Sequence, residues 1–189
     1  HLLKHGQLEP ARKLFMEILN ENEDDVFALH GIALVARDMG RLPTSVELMK
    51  KALALDPRNP MISSNLGTIY EAMKEYEEAL TCYRNSLKWG IRDGAIHNNI
   101  GSVLSKLGRR TEALISFRKA LKAGVEFPEA MTNMATMLGD LGDFKQADYY
   151  FRRALELDPE NAHAHHNLGF MLLRQGLWEE AWFHCEWRM

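Results

Sequence analysis

Several features that mark common protein classes are missing from this 189-residue sequence. No run of 18 apolar residues occurs, so no ordinary transmembrane helix is expected. Acidic residues slightly outnumber basic ones, giving a formal net charge of −3, which argues against a nucleic-acid partner. No basic amphipathic face suggests a membrane surface either. We therefore expect partners that are neither nucleic acid nor membrane.

Cysteine is scarce, and we expect no secretory signal peptide, since none is recognised in the given sequence. The two cysteines, Cys82 and Cys185, lie about three repeats apart in the periodic pattern described next, which is too far for a disulfide in a stacked array. A reducing compartment is the simpler interpretation, and we expect a cytoplasmic protein. The chain begins at His1 without an initiator Met, which leaves open where the natural N-terminus lies.

A short motif that returns every 34 residues dominates what is present. Asn-Leu-Gly starts at Asn65, and related tripeptides start at Asn99, Asn133 and Asn167. Self-similarity at such a period marks a repeat array in which each unit buries its apolar face against its neighbours. The units are 26–59, 60–93, 94–127 and 128–161, preceded by a partial unit at 1–25 and followed by another at 162–189.

Two apolar stripes divide each unit into a helix A and a helix B. Positions 7 and 11 of the unit are apolar at the i, i+4 spacing of one helical face, and positions 24 and 27 form the second stripe. Position 8 is Gly or Ala, and position 20 is Ala or Ser, which lets the two backbones approach closely. The sequence therefore predicts one helical hairpin per unit.

Helix-ending residues recur at fixed positions of the unit. Glycine at position 15 can adopt the left-handed conformation that ends helix A, with Lys74 as the exception. Asp-Pro pairs at Asp56 and Asp158 end helix B, since proline disfavours helical geometry in the residue before it. The terminating glycines are Gly40, Gly108, Gly142 and Gly176, and the expected N-caps are Asn59, Asp93 and Asn161.

These columns resemble the tetratricopeptide repeat: small residues at 8, Tyr or Leu at 11, Ala at 20, Phe or Tyr at 24, Ala at 27 and Pro at 32. The resemblance covers the whole chain in one register. It implies an all-α fold, a right-handed α-solenoid (superhelix) of helical hairpins whose A helices line a concave groove. It also implies a protein–protein interaction scaffold. The aromatic residue common at position 4 is absent from every unit of this sequence.

The groove positions suggest what the scaffold binds. Position 6 carries Asn65, Asn99, Asn133 and Asn167, and one primary amide per repeat can pair with successive peptide groups of an extended chain. A similar asparagine ladder lines the groove of O-linked N-acetylglucosamine transferases. Alternatively the amides face solvent or cap locally, since Asn is frequent there in the family. The other expected peptide-binding residues are Asn98, Thr68, Ser102, Thr136, Arg37, Lys106 and Arg174.

Two other functions of this family of folds are disfavoured by the residues present. The carboxylate clamp that grips chaperone C-termini is not matched, because positions 2 and 5 carry no basic residue other than histidine. His163 and His166 share one helical face, but two imidazoles make an incomplete zinc site, and His165 points towards the packing column. No pattern of residues typical of a catalytic site is recognised in the sequence. We expect no metal, no cofactor and no catalysis in this segment.

The last partial unit ends in an aromatic segment. Trp178, Trp182 and Trp187 supply more apolar area than an exposed final helix should display, and a solenoid normally ends in a polar cap. The segment 176–188 resembles the last repeat of bacterial tetratricopeptide proteins that precede a glycosyltransferase domain. The tryptophans either pack on the preceding helices or contact a C-terminal domain or a second copy. We expect the chain to continue in a longer protein, or its end to dock on another surface.

Three functions follow from these observations. The leading one is a non-enzymatic scaffold that binds an extended peptide segment in the groove. The second is the substrate-recognition region of a larger glycosyltransferase-type enzyme. The third is self-assembly into homo-oligomers through uncapped repeat ends.

Overall fold

The computed structural model describes residues 8–90, 93–123 and 127–187, and every regular element in these ranges is an α-helix. None of these helices is long and apolar enough to cross a membrane. The helices are α1 (Leu8–Glu21), α2 (Val26–Asp38), α3 (Leu42–Leu55), α4 (Pro60–Ala72), α5 (Tyr76–Lys88), α6 (Gly94–Lys106), α7 (Arg110–Lys122), α8 (Pro128–Asp140), α9 (Phe144–Leu157), α10 (Ala162–Arg174) and α11 (Trp178–Cys185).

The helices form two compact units, His1–Ile91 and Arg92–Met189. In the first unit α2 packs on α3 and α4 on α5, while α1 contacts α2 and α3 contacts α4. In the second unit the pairs are α6–α7, α8–α9 and α10–α11, and α8 contacts both α6 and α10. Three A helices therefore form one wall of the second unit. The piece of helix A expected at the start of the partial unit 1–25 lies outside the described residues.

The helix ends follow the local sequence signals. Each glycine at position 15 has a positive φ of 74° to 85°, and Lys74 adopts the same conformation at 63°. Asn59, Asp93 and Asn161 each accept hydrogen bonds from backbone N–H groups of the first helical turn. Helices α3 and α9 end one residue before the Asp-Pro pairs. The predicted hairpin boundaries are thus set by caps that act within a few residues.

The small residue at position 8 makes room for a large side chain from helix B. A Cβ added to Gly67 would lie 2.8 Å from the Tyr83 ring, and one added to Gly101 would lie 2.5 Å from the Phe117 ring. Both rings are buried, at 0% and 1% exposure. At Gly67 and Gly101 only glycine allows such a close approach, and the alanines at the same position of other units are also small, so packing within the hairpin requires a small residue in this column.

Candidate functional site

Two amides of position 6 in the second unit are hydrogen-bonded to the A helix of the preceding repeat. Asn133 Nδ2 on α8 donates to Asn98 Oδ1 on α6 at 3.1 Å. Asn167 Nδ2 on α10 donates to Thr136 Oγ1 on α8 at 3.0 Å. The amides are half-buried, as is Asn99 in the same column. Each bond therefore fixes one amide and also joins two neighbouring A helices.

The first unit contains the same relationship with a different acceptor. Asn65 Nδ2 on α4 lies 2.7 Å from His30 Nε2 on α2. An amide nitrogen can only donate, so His30 Nε2 must be the acceptor and the imidazole must be neutral. Burial, assisted by the nearby charge of Arg37, lowers the pKa of His30 and so favours this neutral form.

Each of these three amides retains hydrogen-bonding capacity. A primary amide has two N–H donors and a carbonyl oxygen. Among the described residues, Asn65, Asn133 and Asn167 each use one Nδ2 hydrogen in the bonds given above. Their second N–H and their Oδ1 are not engaged by another described residue. The amides are thus held in place while part of their hydrogen-bonding surface remains available.

Asn98 at position 5 lies against the next A helix of the second unit. We expected Asn98 to contact a ligand, but its side chain is only 6% exposed and its Oδ1 accepts from Asn133. Ser64 and Thr132 occupy the same position and are also buried, at 8% and 3% exposure. In α8 and α6 this position is removed from water, where a free polar group would lose its hydration. Asn98 therefore positions Asn133 through its Oδ1, and its contact with a ligand stays a prediction.

Gly31 shows why the first complete unit has no amide at position 6. A Cβ added to Gly31 would lie 2.3 Å from Phe15 Cζ, and Phe15 is itself buried on α1. The space for a larger side chain is filled by this ring. The asparagine column consequently begins at Asn65, whose partner His30 supplies the acceptor on α2.

Several charged and hydroxyl residues of the predicted groove have local partners. Arg37 Nε donates to Asp38 Oδ1 at 2.8 Å, and Lys106 is exposed on α6. Thr68 Oγ1 donates to Asn65 O at 2.7 Å, and Ser102 is half-buried. At the α8–α10 interface, Thr136 Oγ1 accepts a hydrogen bond from Asn167 Nδ2, and Arg174 Nη1 donates to Gly139 O.

Three exposed apolar side chains at groove positions were missed by sequence reasoning. Phe27 and Met61 at position 2 are 71% and 55% exposed in the first unit, and Phe170 at position 9 is 54% exposed in the second. The signal was available for Phe170, because Thr68, Ser102 and Thr136 at that position are small and polar. Isolated exposed apolar residues are common on protein surfaces, which is why one apolar residue in a polar column is a weak signal of a binding site.

The tryptophans of the last unit fall into two environments. Trp178 and Trp182 on α11 are 67% and 61% exposed, and the adjacent Phe183 is 64% exposed. Trp187 instead stacks on His165, with ring centroids 3.9 Å apart and an interplanar angle of 15°. The exposed aromatic face of α11 is therefore formed by Trp178, Trp182 and Phe183, whereas Trp187 packs within its own hairpin.

The histidines of α10 also separate into packed and exposed groups. His165 is 6% exposed, and its Nδ1 lies 2.7 Å from Nδ1 of the buried His184 on α11. His163 and His166 are exposed, as the sequence predicted. In the part of the chain that the structure describes, no three His, Cys, Asp or Glu side chains could hold a metal ion together.

Family models agree with the hairpin architecture. Two models described as tetratricopeptide repeats match residues 58–123 and 137–176, which together make up more than half of the chain. The chain is a tetratricopeptide-repeat protein. Its all-α fold of repeated helical hairpins, expected from the column pattern, is confirmed.

Curated relatives match only part of the chain. A stretch of 87 residues is 30% identical to Hsp70-Hsp90 organizing protein 1 of Glycine max, covering 46% of this chain and 15% of that protein. A stretch of 85 residues is 32% identical to Hsp70-Hsp90 organizing protein 3 of Arabidopsis thaliana, covering 45% of this chain and 15% of that protein. The chain thus matches a small part of each relative's length.

Solved tetratricopeptide structures resemble the chain over most of its length. YrrB, described as a TPR protein with an unusual peptide-binding site, is 25% identical with a TM-score of 0.74, covering 92% of this chain and 90% of that one. PilF from Pseudomonas aeruginosa has a TM-score of 0.84 at 21% identity, covering 97% of this chain and 83% of that one. The second likeness shows the fold alone.

Proposed function

We propose that this chain is a non-enzymatic interaction scaffold that binds an extended peptide segment along its A helices. The observation that carries the proposal is that three half-buried amides, Asn65 in the first unit and Asn133 and Asn167 in the second, are each fixed by a hydrogen bond to a neighbouring helix. Each keeps a donor and an acceptor for a peptide group, which an extended chain offers at regular intervals. The description of YrrB as having a peptide-binding site supports a ligand of the same class.

The fixed amides favour binding because their orientation is set before the ligand arrives. A free asparagine side chain loses rotamer freedom when it binds, at a cost of about 0.5–1.5 kcal/mol for each flexible side chain. Because hydrogen bonds to neighbouring helices already hold Asn65, Asn133 and Asn167, this rotamer freedom is lost on folding and not on binding. Recognition of backbone groups also explains why the groove needs no strong charge of one sign.

The test is a selection from a random dodecapeptide library, followed by affinity measurement on a variant in which four asparagines are replaced by alanine. The variant changes Asn65, Asn99, Asn133 and Asn167, and we expect it to bind the selected peptides at least tenfold more weakly, since each lost hydrogen bond costs about 0.5–1.5 kcal/mol. Asn85→Ala on the exposed side of α5 is the matched control. Unchanged affinity in a folded four-site variant would remove the proposal.

The exposed aromatic face of α11 favours a second function, docking of another helix. Trp182 occupies position 21, and its equivalent Val46 on α3 is only 8% exposed in a hairpin followed by α4. Position 21 is thus buried in this interior hairpin, whereas Trp182 and Trp178 are exposed. We propose an amphipathic helix as the occupant, supplied by a second copy or by another domain.

Measuring whether the chain self-associates distinguishes a second copy from another domain as the source of the docked helix. Sedimentation over a wide concentration range should show a dimer that becomes monomeric in the Trp178→Ser and Trp182→Ser double variant, if a second copy supplies the helix. Tyr149→Ser removes a comparably exposed aromatic ring from α9 and serves as the control. A strict monomer at all concentrations counts against self-assembly and leaves a separate domain as the source.

A further inference from the structure

A small cavity lies on the A-helix side of the second unit, beside Asn167. Its volume is about 100 Å³. Phe151 and Met171, which are 1% and 4% exposed, contribute buried apolar surface, and the half-exposed Phe170 forms a further wall. The remaining lining residues are Thr136, Gly139, Asp140, Asn167 and Arg174.

Phe170, which forms the exposed wall of this cavity, packs against a neighbouring ring. His166 lies one turn before Phe170 on α10, with ring centroids 4.7 Å apart. The other A helices have no aromatic residue at position 9, where Leu34, Thr68, Ser102 and Thr136 are found. Phe170 therefore gives this repeat an aromatic surface that the other repeats lack at the same place.

The charges at the edge of the cavity cancel. Arg174 Nη1 lies 3.7 Å from Asp140 Oδ1 and donates to Gly139 O at 3.4 Å. The guanidinium also lies over the Phe144 ring, 5.4 Å from its centroid. One cation and one anion side by side attract neither a positive nor a negative side chain, so charge complementarity favours a neutral occupant.

We propose that this cavity receives one branched aliphatic side chain of the bound peptide segment, next to the backbone contact made by Asn167. The proposal rests on the function proposed above and adds a sequence preference to it. A volume of about 100 Å³ beside the buried Phe151 and Met171 has room for one aliphatic side chain of the size of valine, leucine or isoleucine. Thr136 accepts from Asn167 at the edge of the cavity, which sets the amide beside the side chain that enters.

Peptide selection on two variants tests the preference. Peptides selected on the wild-type chain should have one position enriched several-fold in Val, Leu or Ile. Phe170→Ser should still select binders but lose that enrichment, and it should bind the wild-type-selected peptides about tenfold more weakly, as expected when one aliphatic side chain loses its burial. Tyr149→Ser, with an exposed ring on α9, should behave as wild type.

The outcomes separate this proposal from the one on which it rests. Peptides that require the four asparagines but show no aliphatic enrichment, or the same enrichment on Phe170→Ser, overturn the cavity proposal and leave the scaffold proposal intact. Peptide affinity that is unchanged when the four asparagines are replaced by alanine overturns the scaffold proposal.

A second measurement needs no selected peptide. N-acetyl-leucine methylamide should shift the Met171 methyl resonance more than the alanine analogue does, and Phe170→Ser should abolish the difference. Equal shifts from the two compounds in the wild-type chain would overturn the cavity proposal even if no library peptide binds.

Discussion

The Nδ1 atoms of His165 and His184 lie 2.7 Å apart, so one must donate a proton to the other. His165 Nε2 donates to the carbonyl oxygen of Pro159 at 3.0 Å, which leaves His165 Nδ1 as the acceptor when the ring is neutral. His184 Nδ1–H is then the donor. Protonating both rings would place two N–H groups against each other, so the last hairpin requires at least one neutral imidazole.

Acidification should therefore destabilise the second unit. Burial, followed by the nearby charge of His165, lowers the pKa of His184, while Glu180 and Asp148 raise it and Arg152 lowers it. A histidine whose pKa is lower in the folded state binds fewer protons there than when unfolded, so its stabilising effect is present above about pH 6.5 and is lost as the pH falls below it. Thermal unfolding followed from pH 7.5 to pH 5 should show this loss.

Variants assign the pH effect to the buried pair. His184→Gln cannot titrate and should have a shallower dependence of its unfolding temperature on pH than the wild-type chain. His163→Gln, at an exposed position of α10, should retain the wild-type dependence. Parallel curves for wild type and His184→Gln would show that the pair does not control this transition. His30 and His97, whose pKa values are also lowered by burial, then become the remaining sources.

Replacing Ser86 with alanine should stabilise the first unit. Ser86 on α5 is 0% exposed, and its Oγ has no hydrogen-bond partner among the described residues. A buried polar group without a partner costs about 1–3 kcal/mol, and the equivalent residues Ala52, Ala120 and Ala154 show that alanine fits this column. We expect Ser86→Ala to raise the free energy of unfolding by about 1 kcal/mol in denaturant titrations. A lower value would indicate a hydrogen bond through water.

Two glycines on A helices should respond oppositely to the same substitution. Gly101→Ala places a Cβ 2.5 Å from Phe117 and should cost about 1–3 kcal/mol, because the buried ring has to move. In Gly139→Ala the nearest atoms are at 3.7 Å, an ordinary contact, and alanine favours a helix by about 1 kcal/mol relative to glycine. Chemical denaturation should show a lower free energy of unfolding for Gly101→Ala and no decrease for Gly139→Ala. Similar losses in both would contradict the packing explanation.

The bond between Asn133 and Asn98 should be measurable as a coupling energy. Replacing either residue with alanine removes the bond of 3.1 Å, so the two single variants and the double variant should not be additive. We expect a coupling of about 0.5–1.5 kcal/mol, the usual net value of one hydrogen bond. Asn85→Ala combined with Asn133→Ala provides an additive control, since Asn85 is exposed on α5.

Features that depend on a few neighbouring residues could be predicted from the sequence, whereas those that depend on spacing between helices could not. The glycine ends of helix A and the N-caps such as Asn59 act locally, and both were confirmed. The burial of Asn98 depends on how closely α6 and α8 approach, which the repeat columns do not encode. The sequence left the amides as either peptide-binding or locally capping groups, and it contained no sign of acceptors such as His30 on the neighbouring helix.

The terminal aromatic segment shows the same limit. Trp178, Trp182 and Trp187 look equivalent in sequence, yet only the first two are strongly exposed, because His165 offers a stacking partner to the third. The glycosyltransferase-associated character of this segment stays a prediction. The peptide-binding role of Asn99 and Lys106 likewise stays a prediction, to be settled by the library experiment.

The bonds that join successive A helices also affect how easily a unit bends. In the second unit, Asn133 and Asn167 connect α6 to α8 and α8 to α10 along one edge, and lengthening that edge by an ångström would break both bonds. A ligand bridging the same edge would resist the same deformation. Binding should therefore make the unit mechanically stiffer, so that slower amide hydrogen exchange along α8 and α10 would report an occupied groove even when no helix changes position.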